Sequence, residues 1–143
     1  MYLDAHNIFD NNVEHLTTEA SANLVDLGAI RNLGVGENVY FVILVDTAFT
    51  DGSSNSTMTI TLETDDNEAF NSATTAQTVG VFAALTAAGT RLIARLQPNA
   101  INERYMRVKY TVANGDLSTG KFTSFLTLNL DAFTAYPDGI TIS

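Results

Sequence analysis

The 143-residue chain has no cysteine, no tryptophan, only two prolines and only seven basic residues. Without cysteine there is no disulfide framework, no thiolate nucleophile and no Cys-type zinc site, so stability must come from packing. A chain of this length can supply it, because folding hides roughly 68 to 70% of the surface exposed by the unfolded chain. The seven basic residues face sixteen acidic ones, a formal charge of −9. Phosphate backbones need a basic stripe to release their counterions, so this balance argues against a nucleic-acid partner. The longest apolar run, Val39 to Val45, is far below the roughly 18 residues of a membrane-spanning helix. Met1 to Asp10 hold two aspartates and no Lys or Arg, so the basic start of a secretory signal is missing. A soluble protein without a membrane partner is expected.

What the sequence does have is alternation. Met58, Ile60 and Leu62 share one face of a strand, with Thr57, Thr59, Thr61 and Glu63 on the other. Met106, Val108, Tyr110 and Val112 alternate in the same way with Arg107, Lys109 and Thr111. A third strand sets Phe122, Leu126, Leu128 and Leu130 against Lys121, Thr123, Thr127 and Asn129. Val39 to Val45 is apolar at every position, which predicts a strand covered on both faces, by the opposite sheet and by a neighbouring segment or subunit. Weaker candidates are Asn23 to Leu27, Gln77 to Phe82 and Arg91 to Leu96. A short strand in either terminal segment would bring the total to about eight.

Turn residues separate these runs: Asn32 to Asn38 with two glycines, Asp51-Gly52-Ser53-Ser54-Asn55, Asp65-Asp66-Asn67, Gln97-Pro98-Asn99 and Asn114-Gly115-Asp116. Short strands punctuated in this way predict an all-β, jelly-roll-like antiparallel sandwich. The expected layout is an N-terminal arm over 1–18, the sandwich over 19–130 and a C-terminal tail over 131–143. The arm carries Tyr2, Leu3, Ile8 and Phe9. These either pack on their own domain or reach a neighbouring subunit. Because the strong strands lie downstream, removing Met1 to Asp10 is expected to weaken oligomerisation and spare the fold.

Catalysis has little to work with. A nucleophile needs a base, usually histidine, and the only histidines, His6 and His15, both fall in the N-terminal segment without a Gly-x-Ser-x-Gly elbow. Their spacing matches no common zinc signature. Gly34-x-Gly36 precedes a strand instead of opening a helix, so a turn is the plainer reading than a phosphate loop. Carboxylates gather at Asp46 with Asp51 and at Asp65-Asp66-Asn67-Glu68. Oxygen-rich turns of this kind can hold calcium, but the spacing is not that of an EF-hand, and turn-building is the simpler role. The expectation is no enzyme, no cofactor and no resident metal. The basic residues Arg91, Arg95, Arg104, Arg107 and Lys109 are concentrated in two neighbouring strands, Arg91 with Arg95 on one face and Arg107 with Lys109 on another. They form either a solvated face with weak ion pairs or an electropositive strip for a partner's carboxylates.

The order of several pieces resembles the Bbp16-like capsid cement proteins of tailed phages. The pieces are the opening Met1-Tyr2-Leu3-Asp4, Val25-Asp26-Leu27-Gly28-Ala29 with Arg31 and the Gly34-x-Gly36 turn, and Val45-Asp46-Thr47-Ala48-Phe49. They continue through Thr64-Asp65-Asp66-Asn67-Glu68-Ala69-Phe70, Glu103-Arg104-Tyr105-Met106-Arg107-Val108-Lys109-Tyr110 and the Phe122 to Leu128 strand. The resemblance runs from Met1 to about Asp131 and rests on order and spacing. It implies a virion protein on the outer capsid surface, a homotrimer that decorates the capsid and bridges major capsid protein subunits. It brings no catalytic residues. Tyr2, Leu3, Ile8, Phe9, Arg91, Arg95, Arg107 and Lys109 are the candidate interface residues. The competing expectation is a carbohydrate- or receptor-binding jelly roll of a tail or fibre.

Overall fold

A computed structural model describes residues 7–28, 38–98 and 100–128. Nine strands lie within them: β1 (Ile8–Glu14), β2 (Glu19–Ala20), β3 (Val25–Asp26), β4 (Tyr40–Thr50), β5 (Thr57–Asp65), β6 (Thr74–Phe82), β7 (Arg91–Arg95), β8 (Tyr105–Ala113) and β9 (Thr119–Thr127). They form two antiparallel sheets. Sheet A has the order β1-β9-β4-β7; sheet B has the order β2-β8-β5-β6, with β3 also paired to β8. Among these strands only β5 and β6 are both consecutive and directly paired. β2 and β3 follow one another along β8, and every other connection passes from one sheet to the other, in keeping with the expected jelly-roll-like sandwich.

Alternation builds the core. Phe41, Ile43, Val45, Phe122 and Leu126 of sheet A meet Met58, Ile60, Leu62, Met106, Val108 and Tyr110 of sheet B. Phe122 is the aromatic hub, with ring centroids 5.8 Å from Tyr110, 6.0 Å from Phe82 and 6.4 Å from Phe49. Such pairs add about 0.5–1.5 kcal/mol each beyond burial. Along the open side, β6 approaches β7 closely enough that a Cβ on Gly80 would stand 3.1 Å from Leu92 Cδ1. Gln77 closes this seam: its side-chain amide donates to the Arg95 carbonyl at 2.9 Å and its oxygen accepts the Gln97 N–H at 3.0 Å. Those two backbone groups would otherwise belong to an open sheet edge.

The turns follow the expected chemistry. Asp51 accepts the N–H groups of Ser53, Asn55 and Ser56 at 2.7, 2.9 and 2.8 Å, which joins β4 to β5. These donors, led by Ser53, hold its carboxyl far below the usual range. Asn114 and Gly115 both take positive φ, 66° and 108°, where the chain leaves β8 for the other sheet.

Two expectations need correction. Ile8 to Glu14 are not an extended arm: they form β1, with Ile8 opposite Phe125 and Val13 opposite Phe122. Two register shifts interrupt that pairing, and they explain the missing period, since each slip moves side chains to the other face. Leu128, expected to point inward, is 59% exposed just beyond the end of β9. The Asn32 to Gly36 turn, Tyr2, Leu3, Leu130 and the tail over 131–143 lie outside the described residues.

Candidate functional site

The outward face of sheet A is the most distinctive surface. Inward positions of β4 are Phe41, Ile43 and Val45, so Tyr40, Val42 and Leu44 face outward. Their partners on β7 are Arg95, Ile93 and Arg91, and on β9 Thr127, Phe125 and Thr123. Ile8 of β1 lies opposite Phe125. The result is an apolar row of Ile8, Phe125, Val42 and Ile93 across four strands, with Arg91 and Arg95 flanking Ile93. Val42 is 0% and Phe125 1% exposed although both point away from the core, whereas Ile93 is 41% exposed. The strand that the sequence predicts to be covered on both faces is so covered only at Val42; the outward Tyr40 and Leu44 are half-buried.

The other two basic candidates are elsewhere. Arg107 and Lys109 belong to β8 in sheet B, and the chain crosses the sandwich between Arg95 and Tyr105. The four cations therefore form no single strip. Arg107 is engaged locally: Nε donates to Glu63 at 2.9 Å and the guanidinium lies 4.3 Å from the centroid of Phe70. Phe9 also departs from expectation. It is 0% exposed inside the core, tilted against Phe41 at 5.9 Å, and so has no surface to offer a neighbour. Ile8 keeps a half-buried place on the outward face.

Asp65, Asp66 and Glu103 bring carboxylate oxygens within 4.8 Å of one another. The oxygens of buried Asp65 are already used, by the Ser72 N–H at 2.8 Å, the Asn67 N–H at 3.1 Å and the Ser72 hydroxyl at 3.2 Å. Glu103 accepts from Thr64 at 3.2 Å. These contacts give the group a loop-building role. Asp46, the other loop carboxylate considered, accepts the Thr123 hydroxyl.

A mostly apolar pocket of about 210 Å³ opens between Val25, Leu27, Val39, Leu126 and Leu128. Ligand sites for drug-sized molecules usually occupy about 300–1,000 Å³, so this one is small for a sugar or a larger ligand.

Sequence reasoning missed a buried polar cluster between the sheets. Asp10, His15, Tyr110 and Ser124 are 0%, 2%, 0% and 0% exposed. Tyr110 Oη donates to Asp10 at 2.5 Å, and Ala22 N–H donates to the same carboxylate at 2.8 Å. His15 stacks on Tyr110 with centroids 4.1 Å apart, its Nδ1 lies 2.8 Å from Glu19, and its Nε2 lies 3.1 Å from Asp10. That last contact is in ion-pair range, but its angle is poor for a hydrogen bond. Burial raises the Asp10 pKa, and the His15, Ala22 and Tyr110 donors outweigh it and bring it below the ordinary value. Burial opposes charge on His15 too, and the two carboxylates outweigh it and raise the imidazole. Burial and the Asp10 charge push the Tyr110 phenol well up, so it remains a donor. Ser124 sits near Tyr110 at 3.3 Å and Asp10 at 3.5 Å, and the imidazole contacts are to carboxylates. One signal was readable: Ser124 interrupts the apolar inward row between Phe122 and Leu126.

No curated protein matches the chain. A family model, Bbp16, matches residues 14–126, which takes in all of the strands except most of β1 and the last residue of β9. The chain belongs to the Bbp16 family of bacteriophage proteins.

Proposed function

We propose that this protein is a capsid cement, or decoration, protein that binds the outer surface of the phage capsid as a homotrimer and ties neighbouring major capsid protein subunits together. Family membership supplies the phage setting. The observation that carries the reading is the outward face of sheet A, where partly exposed Ile93 stands between Arg91 and Arg95 beside Tyr40 and Leu44. Interface cores favour aromatic residues and arginine, and exclude water around an apolar centre. A chain of formal charge −9 would be repelled by an acidic surface, and arginines on the approaching face offset that repulsion and fix orientation. Each contact need only be modest, because three linked copies raise the effective concentration of the remaining sites. The role is adhesive and involves no turnover.

Sedimentation with capsids lacking the protein tests this reading. Wild type should co-sediment and raise the temperature at which the capsids rupture, and I93D should do neither while remaining folded. If the wild-type protein binds no capsid and protects none, the proposal is wrong. Specific recognition on a glycan array would favour a receptor-binding jelly roll.

A further inference from the structure

The buried histidine has a geometry that only one protonation state satisfies. Both ring nitrogens face carboxylates, Nδ1 toward Glu19 at 2.8 Å and Nε2 toward Asp10 at 3.1 Å. A neutral imidazole carries one N–H and would turn a lone pair toward one of the two anions; the imidazolium carries a proton on both. We propose that charged His15 is a clasp that holds the segment from Glu14 to Asn23 onto the sandwich, and that this segment loosens when the imidazole loses its proton.

The surrounding groups determine which part is released. Asp10 of β1 is fully buried and keeps the Tyr110 hydroxyl and the Ala22 N–H whatever the state of the ring. Glu19 of β2 is different, because its side chain is 43% exposed and can turn to water. Asp10 cannot turn away, so a bare Nε2 would hold its lone pair against a fixed carboxylate; the neutral ring therefore keeps its remaining proton on Nε2, although that contact is poorly angled for a hydrogen bond, and gives up Glu19. β2 is only two residues long and pairs with Tyr110 and Lys109 of β8, so its own ladder is short, and the Ser21 hydroxyl, which accepts the Val108 N–H at 3.1 Å, extends it. Its continuation depends on Ser21 N–H to the Val108 carbonyl at 2.8 Å, and Thr18 Oγ1 accepts the Val112 N–H at 3.0 Å.

Among the described residues no other cation substitutes for the ring. From β8 the imidazole meets the Tyr110 ring, and from β9 it meets Phe122 at 6.3 Å; the backbone N–H of His15, not its ring, donates to the Gly120 carbonyl at 3.2 Å. Lys109 and Lys121, the nearest basic residues on those strands, alternate with core residues Val108, Tyr110 and Phe122 and so face outward. The elevated imidazole and lowered Asp10 carboxyl agree in sign. The His15 contribution is complete below the ordinary histidine value and is lost as pH rises through its elevated one. The Asp10 contribution is present above the ordinary carboxylate value and is lost as pH falls through its lowered one. The segment is held most firmly between those limits and loosens on the alkaline side.

The test is amide exchange and nitrogen NMR on the full chain. Replacing the other histidine, H6Q, leaves one imidazole to follow. At pH 6 both of its nitrogens should carry protons, and it should titrate above the ordinary histidine value. Protection of the Ser21 amide, normalised to β5 and corrected for base catalysis, should fall several-fold across that same titration, while the Ala22 amide, held by Asp10, should change less. E19Q should flatten the profile, because the introduced amide can accept from a protonated Nδ1 or donate to a bare one. A neutral ring at pH 6, a wild-type profile that is flat, or one that E19Q leaves unchanged would each overturn the clasp. Should E19Q not fold, the wild-type titration decides alone.

Discussion

Tyr110 and Asp10 stand one hundred residues apart in sequence and meet through a 2.5 Å hydrogen bond that joins sheet B to sheet A inside the core. Removing one partner of a buried charged hydrogen bond exposes the other to desolvation without compensation. Y110F should therefore lower stability by about 1.5–3 kcal/mol, measured as a drop in the urea midpoint at pH 6. The Asp10 carboxyl should also titrate higher, since it loses a donor that stabilises its anion. A mutant with an unchanged midpoint would show the bond to be energetically idle.

Deleting Met1 to Asp10 should damage the fold, contrary to what the sequence alone suggests. The deletion removes Phe9, which is fully buried, and Asp10, which carries the buried cluster. Truncating a buried Phe to Ala already costs about 3–5 kcal/mol, against a total stability of about 5–15 kcal/mol for an ordinary domain. F9A should accordingly shift the thermal midpoint down sharply, and the deletion should give an expanded species by size-exclusion chromatography.

At the protein surface, the Arg104 guanidinium grips Asp26 through two hydrogen bonds, Nε to Oδ1 at 2.8 Å and Nη2 to Oδ2 at 3.0 Å. With the Gly28 N–H, this lowers the carboxyl from 3.8 to about 2. A carboxyl lowered on folding contributes stability above its unfolded value and loses it as pH falls through its folded one. The Asp26 contribution should thus be intact at pH 4 and fade as pH falls toward 2. R104Q should return the Asp26 titration most of the way to 3.8, read from its carboxyl carbon shift. A titration left near 2 would assign the shift to the backbone donor.

The legible parts of the fold were those in which one physical signal acted alone. Met58, Ile60 and Leu62 alternate without interruption, and all three are 0% exposed in β5. Asp51 and Asn114-Gly115 marked turns by their own chemistry. β1 was hidden because two register shifts against β9 erase its period. The separation of Arg91 and Arg95 from Arg107 and Lys109 was hidden because sheet membership depends on long-range pairing, which a local pattern does not encode. From sequence His15 reads only as a base or metal ligand, because Asp10 reaches it through the bulged strand β1 and Glu19 through the docking of β2 on β8.

Two neighbours on the outward face of sheet A should respond oppositely to the same substitution. Val42 and Ile93 are cross-strand partners pointing the same way, yet Val42 is 0% and Ile93 41% exposed. An isolated carboxylate at Val42 would be desolvated without a partner, at a cost of several kcal/mol. V42D should leave the chain unfolded, or folded only with the new carboxyl protonated. I93D places the charge where water reaches it, and its cost should be within about 1 kcal/mol, the span of β propensity in a host sheet. Urea denaturation of both variants at pH 7 checks the contrast. I93D should melt cooperatively near the wild-type midpoint, which makes it the variant whose failure on capsids can be read as lost contact. If V42D were as stable as I93D, the cover over Val42 would open easily to water.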